Sequence, residues 1–134
     1  PAVSPLIVLI GACIYFGLNS DRFFTGPNFS LIVQQVSFVG ALAIGQTLII
    51  LTSGIDLSNG VLMAYSSVIM AKLAVNNGVN PYVAILLGLL VATLFGLFNG
   101  TLIAALKLPP FIVTLGTYGI VFALTRIYST ATIN

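Results

Sequence analysis

The stretch LTSGIDLSNG, residues 51–60, interrupts a long apolar run with glycines, an aspartate and hydroxyl side chains. A helix before it can end at Gly54, because glycine readily adopts the left-handed conformation that closes many helices. Asp56 or Ser58 can then cap a second helix by accepting backbone N–H bonds, and the charge of Asp56 suits the positive end of that helix. The stretch therefore predicts a helix break from Gly54 to Ser58.

The rest of the chain is too apolar for a soluble domain. Of the 134 residues, 59% are hydrophobic and 4% are charged, and the mean hydropathy is +1.19, whereas soluble domains are about 25% charged. Four basic and two acidic side chains cannot cover a core with a polar surface, so lipid has to act as the solvent. We predict an all-α, polytopic transmembrane helical bundle.

About five stretches are apolar enough to be membrane segments, for which about 20 residues are needed. They cover residues 1–18, 29–52, 57–75, 82–106 and 111–128. Turns rich in glycine, proline and asparagine separate most of them.

Several classes of function are excluded by composition. The net charge is +2 without a basic run, which argues against nucleic-acid binding. With no histidine, one cysteine and two carboxylates, neither a metal site nor a nucleophile with its base can be assembled. The phosphate-binding pattern GxxxxGK[ST] does not occur. We therefore expect a protein that is not itself an enzyme and holds no cofactor or metal.

Small residues recur every four positions in the fourth segment, at Gly88, Ala92, Gly96, Gly100 and Ala104. Such a row lets another helix approach closely, and Gly96 and Gly100 form a GxxxG pair. This pattern predicts a central helix. The alternative is that glycine is simply frequent in membrane helices.

Polar side chains inside apolar segments need partners, because hydrocarbon offers none. Six of them are candidates for lining a substrate pathway: Gln34, Gln35, Gln46, Asn99, Thr114 and Thr117. Hydrogen bonds between helices, without any ligand, explain them equally well. For Asp56, capping alone is one explanation, and a break that lines a pathway or meets a partner subunit is the other.

Three stretches together resemble the permease subunit of ABC sugar importers of the ribose type. They are AIGQTLIILTSGIDLS (43–58), FNGTLIA (98–104) and KLPPFIVTLGT (107–117), the last including Pro109 and Pro110. The chain departs from the family at Ser53, where a second glycine is usual. The run IVFALTRIYS (120–129) resembles the fructose-type branch and favours fructose over ribose.

The resemblance implies that residues 1–134 are a transmembrane permease domain, the N-terminal part of a longer multi-pass protein of the bacterial inner membrane. It implies ATPase subunits that hydrolyse ATP, a second permease copy and an extracytoplasmic sugar-binding protein as partners, in addition to lipid. It also implies a cytoplasmic N-terminus, with the GIDLS and KLPP ends on the cytoplasmic side.

Three other functions stay open at this stage. An ion-coupled secondary carrier would also use a broken helix, with Asp56 as its coupling residue. A related ABC permease could carry branched-chain amino acids, although a zwitterion favours a more charged pathway. A purely structural membrane subunit is the third.

Overall fold

The computed structural model describes residues 3–129, which form five α-helices and contain no β-strand. The helices are α1 (Ser4–Asn19), α2 (Gly26–Leu51), α3 (Asn59–Ala71), α4 (Pro81–Leu106) and α5 (Pro110–Ser129). A π-helical segment, Lys72–Asn76, continues α3. The predicted all-α fold is confirmed, and so is the break, which separates α2 from α3.

Three of these helices, α2, α4 and α5, are long and apolar enough to cross a membrane. With 16 and 13 residues, α1 and α3 are shorter than the about 20 residues that a single crossing takes. The first two residues of the predicted first segment lie outside the described residues. The third helix is shorter because the turn after the break includes Leu57 and Ser58, and because its last residues form the π-helical segment. Large apolar side chains are exposed along α1, α2 and α4, as expected of surfaces that face lipid or other helices.

The described helices fall into two compact units, Pro1–Ala41 and Leu42–Asn134. In the first unit, the turn between α1 and α2 is held by aromatic packing. The rings of Phe16 and Phe23 stack with their centroids 6.0 Å apart, and the Asn28 amide donates to the carbonyl of Phe23 at 2.8 Å. The Phe24 ring lies so close to Gly17 that a Cβ there would collide with it. Glycine at position 17 therefore permits the tight return of the chain.

The second unit is a bundle in which α3 packs against both α4 and α5, and α4 packs against α5. Its buried apolar side chains are few: Leu62, Ala84, Val113 and Val121. Five polar side chains are also buried, namely Ser58, Ser66, Asn99, Thr114 and Thr117. The interior of this unit is therefore rich in hydroxyl and amide groups, which must satisfy one another.

Local chemistry sets the ends of α4. The Asn80 side chain accepts the backbone N–H of Tyr82 at 3.0 Å, and Pro81 occupies the first turn, where its missing N–H costs nothing. At the other end Lys107 is left-handed, with φ 54°. Pro110 then starts α5, so the two helices are joined by a connection of three residues, Lys107 to Pro109.

The row of small residues on α4 has two different environments. Gly88 is buried, and a Cβ there would collide with the Met70 side chain of α3. Gly96 and Gly100 have open space instead, with nothing within 4 Å of an added Cβ. The predicted close approach of another helix is therefore seen at Gly88, whereas Gly96 and Gly100 border the cavity described below.

Candidate functional site

The end of α2 has the hydrogen bonds of a Schellman motif, but one residue earlier than the sequence predicted. The N–H of Ser53 donates to the carbonyl of Ile50, and the N–H of Gly54 donates to that of Ile49, both at 2.9 Å. Ser53, with φ 60°, is the left-handed residue. The prediction that Gly54 takes this conformation was wrong, because the hydrogen-bond register puts the left-handed position at residue 53.

Gly54 is needed for space instead. A Cβ on Gly54 would lie 3.0 Å from Cγ2 of Ile49 and 3.2 Å from its carbonyl oxygen. The carbonyl is part of the helix backbone and already accepts the N–H of Gly54. A side chain at this position would therefore strain the turn that directs the chain toward α3.

Asp56 organises the start of α3 through a single carboxylate oxygen. Its Oδ1 accepts the backbone N–H of Ser58 at 2.7 Å and the Ser58 hydroxyl at 2.6 Å. Asp56 thus accepts a backbone N–H, but that of the residue before α3, so the predicted capping of an N–H inside the helix is not seen. Ser58 is the residue before α3, but its side chain makes no capping bond; its hydroxyl turns inward instead, and the residue is fully buried.

A chain of hydrogen bonds runs inward from Asp56 and joins three elements. The Asn99 amide of α4 donates to the Ser58 hydroxyl at 3.1 Å. The Thr117 hydroxyl of α5 in turn donates to the Asn99 carbonyl oxygen at 2.5 Å. Every bond is polarised in one direction, from Thr117 through Asn99 and Ser58 to the carboxylate. The network thus ends on the group that can only accept.

A second contact fastens the break to the start of α5. The Thr114 hydroxyl lies 3.2 Å from the carbonyl of Ile55 and 2.8 Å from that of Pro110. Ile55 lies in the non-helical break, so its carbonyl has no helical partner to accept from. Thr114, itself buried, has one hydroxyl proton, which it shares between the nearer Pro110 carbonyl and the Ile55 carbonyl.

A cavity of about 460 Å³ opens beside the break, within the range of about 300–1,000 Å³ that is usual for ligand sites. Asp56 is the one ionisable residue among those that line it. The lining comprises Ile49, Thr52, Gly54, Ile55, Asp56, Gly96, Asn99, Gly100, Ile103, Pro110 and Thr114. Apolar groups make up most of this lining, together with a carboxylate, an amide and hydroxyls.

The predicted pathway residues are only partly brought together. Asn99 and Thr114 line the cavity, and Thr117 lies behind Asn99, buried. Gln34 and Gln35 lie on α2 within the first unit, with exposed side chains. Gln46 is half-buried on the part of α2 in the second unit and is absent from the lining.

Some lining groups were not predicted. Thr52, Ile55 and Ile103 have no sequence signal that separates them from their neighbours, although Thr52 and Ile55 flank the predicted break. Pro109 is exposed in the connection before α5, and Pro110 reaches the cavity. Within residues 3–129, no group of three or more histidine, cysteine, aspartate or glutamate side chains lies close enough to hold a metal ion.

Comparison of the sequence with known proteins shows the family of the chain. The family described as "Branched-chain amino acid transport system / permease component" matches residues 28–134. The fructose import permease protein FrcC of Rhizobium meliloti is 49% identical over 130 residues, which are 96% of this chain and 36% of that protein. No solved structure matches the chain.

Two further relatives are permeases named for other sugars. The ribose import permease protein RbsC of Bacillus subtilis is 37% identical over 95% of this chain and 39% of its own length. The D-allose transport system permease protein AlsC of Escherichia coli is 37% identical over 93% of this chain and 38% of its own length. The chain thus spans under two fifths of the length of these relatives. With its apolar helices and this match, it is a multi-pass membrane protein that belongs to the transport-system permease component family.

Proposed function

We propose that the chain is part of the membrane-spanning permease subunit of an ABC importer that moves a monosaccharide, with fructose as the first candidate, across the bacterial inner membrane. The observation that carries this proposal is the 49% identity to a fructose import permease along 96% of the chain. Relatives named for ribose and allose support the wider class of monosaccharides.

The cavity is consistent with such a cargo. A sugar in its ring form is neutral, presents hydroxyls on its edges and has apolar faces. Thr52 is exposed at the cavity, and Ile49 and Ile103 offer apolar contact. Asn99 and Thr114 stay candidates as lining residues whose polar groups already bond within the protein. Gln34, Gln35 and Gln46 remain candidates for other parts of the same pathway. Thr117 holds the Asn99 amide in place rather than touching the cargo.

The family description mentions branched-chain amino acids, but the relatives that match most of this chain are named for sugars. The carboxylate of a zwitterionic cargo would also lie near Asp56, the one charged residue of the lining, with no cationic side chain there to offset the repulsion. These observations favour the sugar over the amino acid.

The permease would act as one subunit of a larger machine. We expect two ATPase subunits that hydrolyse ATP, a second permease copy that completes the pathway, and an extracytoplasmic binding protein that delivers the sugar. In this arrangement the permease is not an enzyme and carries no cofactor of its own.

The test is uptake of labelled fructose into proteoliposomes that contain the complete permease and its ATPase. Uptake should require both ATP and the binding protein, and an ionophore should leave it unchanged. Uptake that ignores ATP and is abolished by the ionophore would instead identify an ion-coupled carrier. Labelled ribose, allose and leucine in the same vesicles separate the possible cargoes.

A further inference from the structure

Asp56 uses only half of its carboxylate inside the protein. Both of its hydrogen bonds, to the N–H and the hydroxyl of Ser58, end on Oδ1. Among residues 3–129 no other hydrogen bond or ion pair of Asp56 occurs. Within the same residues, no buried side-chain oxygen or nitrogen lacks a partner. The unbonded Oδ2 is therefore an accessible atom rather than a buried one.

Asp56 brings the charge of its carboxylate to the wall of the cavity. Asp56 is half-buried and belongs to the lining, where the other groups are neutral. One negative charge in a partly enclosed, largely apolar space acts more strongly than the same charge on an open surface. It attracts hydroxyl donors and repels anions.

The hydrogen-bond network determines which carboxylate oxygen of Asp56 is used inside the protein. Ser58 donates its hydroxyl proton to Oδ1, because Asn99 already donates to the Ser58 oxygen. The chain of donors therefore fixes Oδ1 as the internal acceptor and leaves Oδ2 without a partner inside the protein. A ligand can satisfy Oδ2 only by donating a hydrogen bond.

From this geometry we propose that Asp56 is a specificity-determining residue, whose free carboxylate oxygen accepts hydroxyl groups of a neutral polyol and excludes anionic polyols such as sugar acids and sugar phosphates. The inference rests on the proposed transport function, which it deepens by assigning a charge filter to the cavity. It assigns Asp56 a role in addition to shaping the helix break.

The decisive variant is Asp56→Asn. Its amide oxygen can still accept both bonds from Ser58, whereas its NH₂ group replaces an acceptor by a donor on the cavity side. The matched control is Asp21→Asn, which removes the only other acidic side chain, exposed in the connection between α1 and α2. Both variants change the net charge by the same amount.

The potential in the cavity can be measured without transport. Thr52, a lining residue, is replaced by cysteine in a complete permease whose other cysteines, including Cys13, are replaced. The rates of labelling by a cationic and an anionic methanethiosulfonate reagent are then compared. We expect the cationic reagent to be favoured, and Asp56→Asn to lower the ratio of the two rates about tenfold. Asp21→Asn should leave the ratio unchanged.

Protection of the same cysteine tests the ligand. Fructose should slow labelling and gluconate should not, and in Asp56→Asn the protection by fructose should weaken while gluconate begins to protect. Equal labelling ratios in the parent and Asp56→Asn, or equal protection by fructose and gluconate in the parent, would overturn the proposal. If Asp56→Asn does not assemble, the parent still decides, once its ratio is divided by the ratio for a free thiol in solution. This normalised ratio should fall toward one as salt is raised, and a normalised ratio of one at low salt would refute the charge filter.

The two proposals fail in different ways. Labelling ratios report the charge of Asp56 whether or not the vesicles transport sugar. Loss of ATP-dependent fructose uptake with an intact ratio would count against the proposed cargo and leave the anion filter standing. Normal fructose uptake without a preference for the cationic reagent would support the proposed cargo and refute the anion filter.

Discussion

Breaking the contact between Asn99 and Thr117 tests whether the buried network holds the second unit together. The two side chains are 5% and 4% exposed, and the hydroxyl donates to the amide oxygen at 2.5 Å. Thr117→Val keeps the shape of the side chain but leaves a buried oxygen of Asn99 without its donor, at a cost of about 1–3 kcal/mol. Asn99→Ala also removes the bond to Ser58, so we expect it to destabilise the protein more.

The informative quantity is the coupling between the two substitutions. In the Asn99→Ala background, Thr117→Val no longer leaves an amide oxygen without its donor. The loss of stability in the double variant should therefore be smaller than the sum of the losses in the two single variants. Hydrogen bonds between membrane helices typically contribute about 0.6 kcal/mol and at most about 1.7 kcal/mol. Because this bond is short and enclosed, we expect a coupling of about 1 kcal/mol.

The assay is reversible unfolding of the complete permease in mixed micelles, as the parent, both single variants and the double variant. Thr125→Val is the control, since its hydroxyl donates within α5 to the carbonyl of Val121 at 2.7 Å. That substitution should combine additively with Asn99→Ala, to within about 0.5 kcal/mol. Additive effects of Asn99→Ala and Thr117→Val would refute the network as a cooperative unit.

Three further substitutions test the packing. Ser53→Gly should raise the midpoint of thermal unfolding, because it relieves a left-handed residue at φ 60° that costs about 1–2 kcal/mol; an unchanged or lower midpoint would contradict this. Gly88→Val should destabilise by about 1–3 kcal/mol through overpacking against Met70, and adding Met70→Ala should restore part of the loss in the same unfolding assay. Lys72→Met should lower the free energy of unfolding by about 0.5–1 kcal/mol, because the ammonium group lies 4.1 Å from the centroid of the Tyr128 ring. Lys72→Arg should retain most of the parent's stability, and an equal loss of stability in both variants would argue against the cation–π contact.

The order of helices and the place of the break could be predicted from the sequence because each has a local cause. Long apolar stretches predicted the helices, and glycine, proline and asparagine predicted the turns. The role of Asp56 at the break could be predicted because a carboxylate in an apolar segment is costly unless it is hydrogen-bonded. Its bond to the Ser58 N–H is local and spans two residues. Local causes of this kind are visible in a single sequence.

The contacts that build the site could not be predicted in this way. Asn99 and Ser58 are 41 residues apart, and Asn99 and Thr117 are 18 apart. The apolar surroundings show that each polar side chain needs a hydrogen-bond partner. They do not show which of several hydroxyls is that partner. The pairing depends on how α4 and α5 are rotated about their axes, and helices that are apolar on nearly all sides do not reveal their rotation through a polar face.

Ser53 and Gly54, the two residues that close α2, differ in what a side chain costs there. Residue 53 is a serine in this chain. In the Schellman motif that position needs a left-handed residue, which serine can adopt at a cost of about 1–2 kcal/mol. At Gly54 a side chain would instead press on the Ile49 carbonyl oxygen, which the last turn of α2 holds in place. A conformational cost can be tolerated where packing is otherwise good, but a Cβ at residue 54 would require the Ile49 carbonyl oxygen to move by a few tenths of an ångström, and the N–H of Gly54 holds that oxygen in place. A side chain at residue 54 should therefore disturb the break, and with it Asp56 and the cavity, more than the serine at residue 53 does.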